Sequence, residues 1–126
     1  GEDIDHEVIP EYNLSNFITK ANKFFLGTMS ITPDNKAVCP LGAAEVVSLC
    51  HLNKIPVYLF ANSLKFSHKP SHDHRIHEKN ECRLEGQTSY NMTIHSHCLV
   101  DLAHVDFIVR EEGPIPRADF QKLLAC

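Results

Sequence analysis

The segment Ile55-Pro56-Val57-Tyr58-Leu59-Phe60-Ala61-Asn62-Ser63-Leu64-Lys65-Phe66-Ser67 decides the fold. Proline at position 56 ends whatever helix precedes it, because its ring fixes φ and removes a backbone donor. The residues after it, Val57 to Ala61, are an unbroken apolar run, the pattern of a strand buried on both faces of a parallel sheet. Upstream, Leu41 to about Asn53 reads as a helix. Its apolar positions Leu41, Ala44, Val47, Leu49 and Leu52 are spread widely enough to predict cover on most sides. Before it, Lys23-Phe24-Phe25-Leu26-Gly27 is a second apolar run, short enough for a strand. Strand, helix and strand within about 40 residues make a βαβ unit and predict parallel pairing.

The flanks are read with the same rules. Residues 1–12 are acidic and then extended around Val8-Ile9-Pro10, and Asn13 or Ser15 is placed to cap a short helix carrying Phe17, Ile18 and Ala21. Thr32-Pro33-Asp34-Asn35 is a turn signal. Residues 67–92, rich in His, Lys, Asn, Glu and Ser, read as a long polar loop. Beyond it come a short helical turn at Leu99 to Ala103 and a third strand at Val105-Asp106-Phe107-Ile108-Val109. A turn at Glu112-Gly113-Pro114-Ile115-Pro116 and a final helix from Asp119 to Ala125 complete the chain. Three strands make a thin sheet where doubly wound domains usually have five or more. The piece is therefore expected to pair with another chain or to lack an upstream half, and the leading Gly1 without Met points the same way.

Length and composition bound the function. At 126 residues the chain is expected to form a single domain, residues 1–126. With 43% hydrophobic and 22% charged residues, it is not a disordered chain. A net charge of -4 with 12 Lys and Arg offers no basic footprint, so direct nucleic-acid binding is not expected. No apolar run approaches the roughly 20 residues of a membrane helix, so no membrane partner is expected. The five cysteines are odd in number, widely spaced and without a CxxC pair, which fits reduced thiols and a cytoplasmic location. Without a secretory signal, Asn13-Leu14-Ser15 and Asn91-Met92-Thr93 read as chance matches to a glycosylation acceptor.

Histidine is the most conspicuous chemistry. Nine are present, with His68, His72, His74 and His77 close together and His95-Ser96-His97-Cys98 further on. Imidazole and thiolate are the ligands zinc prefers, and His72, His77, Cys82 and Cys98 are the weak candidate set. None of the spacings is the tight double pair of a zinc module, so the favoured reading is a solvated stretch that holds no metal. Cys39 opens the helix at Leu41, where a helix N-terminus can lower a thiol pKa, but no base accompanies it. Glu111-Glu112 falls in a turn, and Cys39-Pro40-Leu41-Gly42 has one glycine where a nucleotide cradle needs several. No catalytic residue and no cofactor are expected.

The ordered pieces resemble the C-terminal half of the translation initiation factor 2B alpha/beta/delta subunit family. That family shares a Rossmann-like domain with methylthioribose-1-phosphate isomerase and ribose-1,5-bisphosphate isomerase. Lys23 to Gly27 matches the family's strand ending in Gly-Ala, and Leu41-Gly42-Ala43 its Ile/Val-Gly-Thr at a helix start. Ile55 to Ser67 matches its Pro-Val, strand, Lys-Phe signature. Glu111, Glu112, Gly113 and Ile115-Pro116 match its Thr-Glu-x-Gly-x-Ile-Pro terminus. The likeness covers residues 8 to 124, with 67–92 standing in for a segment of variable length. It implies an α/β fold, a partial Rossmann-like parallel sheet with flanking helices and a long polar loop. It also implies ligand contacts at Gly27, Gly42 and Lys65.

The departures bear on chemistry. The isomerases carry Asp after the strand, where this chain has Gly27-Thr28-Met29, and their Asn-Lys pair is replaced by Cys39-Pro40. Their catalytic Cys lies upstream of the matching segment. The resemblance therefore implies a non-catalytic subunit-interaction or regulatory domain, like the regulatory subunits of the guanine-nucleotide exchange factor for initiation factor 2. Its partners would be sister subunits or a second copy, with initiation factor 2 itself a further candidate. Half of a sugar-phosphate aldose-ketose isomerase is the alternative, and a zinc-binding structural module the second. Phe66 is expected to pack under the strand end, with Lys65 bridging strand-end carbonyls or a carboxylate such as Glu111.

Overall fold

The structure, a computed structural model, describes residues 4–67, 78–85 and 88–124. Its elements are β1 (Phe24–Gly27), β2 (Ser30–Thr32), β3 (Lys36–Pro40), α1 (Ala43–Leu52), β4 (Val57–Phe60), β5 (Glu78–Glu85), β6 (Thr88–His95), β7 (His97–Asp101), β8 (Phe107–Arg110), β9 (Gly113–Pro116) and α2 (Phe120–Leu124). The apolar runs pair as predicted. β4 lies between β1 and β8 and is parallel to both. The main sheet has four strands rather than three, in the order β1-β4-β8-β9, because Gly113 to Pro116 returns antiparallel along β8. Gly113 has φ 115°, open only to glycine without strain, and lets the chain reverse after Glu111-Glu112. Two prolines in β9 suit an edge, where a missing donor leaves no ladder bond unmade.

A second, antiparallel sheet, β2-β3-β7, was not foreseen. The turn at Thr32-Pro33-Asp34-Asn35 is present, with Asn35 at φ 69° and the Thr32 hydroxyl donating to Lys36 O at 3.1 Å. It joins β2 to β3, so Cys39 lies inside a strand and not in a loop before the helix. Leu99 belongs to β7 rather than to a helical turn; a 3-10 turn follows at Leu102–His104, where the Asp101 carboxylate accepts from Ala103 N at 3.0 Å.

Much of the predicted polar loop is also strand. β5 and β6 form a long hairpin running from Glu78↔His95 to Glu85↔Thr88, and β6 leads into β7 through Ser96. The N-terminal helix resolves into 3-10 turns at Glu11–Asn16 and Ile18–Lys20. Asn and Ser there favour local side-chain bonds over a continuous helix, as when Asn16 Nδ2 donates to Asn13 Oδ1 at 2.6 Å. The final helix is short, Phe120–Leu124, after a 3-10 turn at Arg117–Asp119.

One core joins these layers. α1 turns Ala43, Val46, Val47 and Cys50 inward against Ala37, Cys39 and Val100 of the antiparallel sheet, and the same cluster takes in Val57, Leu59, Ile108 and Phe120. The helix is shorter and less enclosed than its pattern predicted: Leu52 is 78% exposed, and Leu41, which falls before the helix, 49%. Among the described residues no helix is long and apolar enough to cross a membrane.

Candidate functional site

Strand parity sorts the main sheet into two unlike faces. Val57, Leu59 and Ile108 point into the core and are fully buried. The alternate residues Phe25, Tyr58, Phe60 and Phe107 project the other way, where nothing among the described residues covers them fully. The register sets Phe25 beside Tyr58 and Tyr58 beside Phe107. Phe25 meets Tyr58 and Phe60 edge-on at 5.5 Å each, and Tyr58 stacks on Phe107 at 4.7 Å. Lys23 Nζ stands 5.9 Å over the Tyr58 ring. Phe25 is nevertheless 61% exposed and Phe60 45%. Aromatic pairs add roughly 0.5–1.5 kcal/mol apiece, yet these rings still present apolar surface to water that a second layer would remove. Sequence reasoning expected the thin sheet to pair with another chain but did not name these residues. The signal was there in the run of aromatics at alternate positions on neighbouring strands.

The carboxyl ends of β4 and β8 border a cleft of about 490 Å³. Open α/β sheets bind ligands at this edge. Lys65 and Asn62 are exposed on its rim, and Arg110, partly buried, lines it with them. The remaining polar groups hold the loops. Glu111 Oε1 accepts from Ser63 N at 2.7 Å, and Asn62 Oδ1 accepts from Leu64 N at 3.1 Å. Among the described residues no ion pair joins Lys65 to Glu111, whose Oε1 serves the backbone of Ser63 instead. Phe66 packs half-buried against the core with the Arg110 guanidinium 5.0 Å above its ring, the place predicted for it. Arg110 Nε lies 3.6 Å from Glu112 Oε1.

Gly27 and Gly42 sit elsewhere. Gly27 ends β1 in the open, where an added Cβ would meet nothing within 4 Å. After it, Thr28 is buried, its hydroxyl donating to Ser30 O at 3.0 Å and Val38 O at 2.9 Å, so this position anchors the β2–β3 hairpin. Gly42 precedes α1 with φ 93°, and a Cβ there would collide with the Glu11 carboxylate. That carboxylate lies by the helix N-terminus, where negative charge is favourable. It also borders a separate apolar cleft of about 350 Å³ with Leu14, Leu26, Leu41 and Val46. An anion seeking the start of α1 would have to displace Glu11. The three glycine and lysine contacts implied by resemblance thus fall at three different places.

Cys39 is fully buried, and burial pushes its thiol up to about 11, against the hydrogen bond with Thr28 and helped by the neighbouring Cys98. The lowered thiol pKa considered for a helix N-terminus is not realised, since the residue belongs to β3. Of the zinc candidates, His72 and His77 lie outside the described residues, as do His68 and His74. Cys82 is opposite Asn91 in the β5–β6 hairpin, and Cys98 is opposite Cys39. Among the described residues no three His, Cys, Asp or Glu side chains gather as a metal site would require.

Known structures share this arrangement. The translation initiation factor eIF-2B of Pyrococcus horikoshii OT3 matches with a TM-score of 0.70 at 26% identity, over 87% of this chain and 39% of that one. The 5-methylthioribose 1-phosphate isomerase of the same organism matches with a TM-score of 0.77 at 13% identity, over 98% and 38%. A chain of the tetrameric eIF2B-beta2-delta2 complex from C. thermophilum matches with a TM-score of 0.61 at 19% identity, over 89% and 33%. The chain thus spans well under half the length of the structures it matches. No curated protein sequence matches it. The model of the initiation factor 2 subunit family covers residues 1–104, most of the chain and both strands of the βαβ unit, and the chain belongs to that family.

Proposed function

We propose that this chain is a non-catalytic subunit-interaction domain with a regulatory role, like the regulatory subunits of the exchange factor for initiation factor 2. The observation that carries the reading is the uncovered aromatic face of the main sheet, Phe25, Tyr58, Phe60 and Phe107. A sheet built of parallel strands normally has both faces covered, and a second apolar surface laid on this one would bury the rings. Sister subunits of the family, or a second copy of the chain, are the proposed cover, in the cytoplasm where initiation takes place. The tetrameric beta2-delta2 complex among the similar structures supports assembly between family members. Initiation factor 2 would then be engaged by the assembly. Against an isomerase, the residue after β1 is a hydrogen-bonded, buried Thr28 instead of a carboxylate, and Cys39-Pro40 offers no cation for a phosphate.

Sedimentation across a wide concentration range, alone and mixed with beta or delta subunits, tests the proposal. Association is expected, and the pair Phe25→Glu with Phe60→Glu should abolish it while leaving the far-ultraviolet spectrum intact. A chain that stays monomeric alone and in every mixture would overturn the reading. Turnover of methylthioribose 1-phosphate by the chain would favour the isomerase instead.

A further inference from the structure

Cys39 and Cys98 are 59 positions apart in sequence and face each other directly across β3 and β7. The phase of the ladder can be read from its neighbours. Val38 O accepts from Met29 N on the β2 side at 2.8 Å, so the backbone groups of Cys39 turn the other way, toward β7. Leu102 N donates to Asn35 O at 3.1 Å, which sets the same alternation at the far end. The two cysteines are therefore a hydrogen-bonded antiparallel pair, whose Cα atoms stand about 5.5 Å apart with both side chains on one face. Disulfides span Cα separations of about 4.4–6.8 Å. Both thiols are free and weakly held: Cys98 donates to Pro40 O at 3.2 Å and Cys39 to Thr28 Oγ1 at 3.7 Å. Cys39 is wholly buried, whereas Cys98 is partly open to solvent.

The geometry points to Cys39 and Cys98 as a cross-strand dithiol, a site of reversible oxidation to a disulfide by hydroperoxides. The Cys98 thiolate attacks one oxygen of the peroxide and the O–O bond breaks. Cys98 becomes a sulfenic acid, and the leaving hydroxide takes a proton to become water. The Cys39 sulfur then attacks the Cys98 sulfur. The S–S bond forms, the S–O bond breaks, and the departing hydroxide leaves as water with the Cys39 proton. Two thiols lose two electrons, and one hydrogen peroxide is reduced to two waters. The order follows from access, since the exposed partner meets the oxidant and the buried one resolves it. Burial also keeps Cys39 protonated, which makes it a poor first nucleophile and shields it from over-oxidation. Closing a bond at a hydrogen-bonded position requires the strands to adjust, and strained disulfides are the ones readily reduced.

The test treats the whole chain with hydrogen peroxide, followed by alkylation and peptide mapping. The expected result is the loss of two alkylatable thiols and one dominant cross-linked peptide joining Cys39 to Cys98, both reversed by dithiothreitol. Cys98→Ser should remove the cross-link, and Cys50→Ser, a buried free thiol outside the pair, should leave it unchanged. The mapping of the unmodified sequence stands even if a variant folds poorly. A sulfinic acid on Cys98 with Cys39 still free would overturn the assignment, as would cross-links running through Cys82 or Cys126.

Discussion

The two faces of the main sheet are made by the same three parallel strands and have opposite fates. On one, Val57, Leu59 and Ile108 are wholly enclosed by α1, α2 and the antiparallel sheet. On the other, one residue along each strand, Phe25 is 61% exposed and Phe60 45%, with Tyr58 and Phe107 stacked beside them. An apolar run states that a strand can be covered twice. It does not state where the second cover comes from. The enclosed face belongs to the stability of this chain, and the open face is the surface that the proposed function assigns to a partner.

Paired truncations measure that division, and the largest effect belongs to the enclosed face. Leu59→Ala removes a fully buried side chain and should cost about 2–5 kcal/mol in urea unfolding, whereas Phe60→Ala should cost less than about 1.5 kcal/mol. Equal losses would mean that the open face is already part of the core. Phe66 lies between the extremes, half-buried beneath Arg110. Phe66→Ala is expected to cost about 1–3 kcal/mol, and an unchanged melting temperature would remove it from the packing.

The smallest effect concerns charge at the end of the β3–β7 ladder. The Ala103 backbone N–H holds the Asp101 carboxyl below its ordinary value, against some desolvation and with help from Lys36 at 3.2 Å. A depressed folded pKa stabilises at neutral pH, and the contribution fades as pH falls below the ordinary value of about 3.9. Asp101→Asn should therefore lower stability slightly at pH 7, with the gap to the parent closing in acid. A gap that widened on acidification would contradict this assignment.

How much was legible beforehand follows from which contacts are local. β1, α1, β4 and β8 announce themselves because each is a compact apolar segment bounded by Gly, Pro or a turn. β9 was hidden by Pro114 and Pro116, which read as a turn until the edge position makes them acceptable. β3 and β7 were hidden because their pairing joins residues 36–40 to 97–101, and neither has a distinctive pattern alone. The β5–β6 hairpin was masked by composition: its polar residues are poor strand formers, yet each still carries a backbone donor and acceptor that the ladder uses. The candidate sites were legible only as residue types. Lys65 at a strand end followed from the signature around Phe66. Glu11 over Gly42, and Cys98 beside Cys39, depend on distant segments meeting, which no spacing reveals.

The parallel order of the main sheet has a kinetic consequence. Phe24 must find Val57, and Tyr58 must find Phe107, so the sheet closes chain loops of roughly 30 and 50 residues. Non-local pairing of this kind is slow, because the entropy of closure is spent before the contacts form. Each loop, however, contains a hairpin that needs no distant partner: β2–β3 in the first and β5–β6 in the second. Hairpins form in roughly 1–10 μs, far sooner than such a sheet assembles. Once folded back on themselves they shorten the path between the parallel strands. In the folded chain the pairing of Glu78 with His95 brings the two ends of the polar stretch together and so shortens the path from β4 to β8.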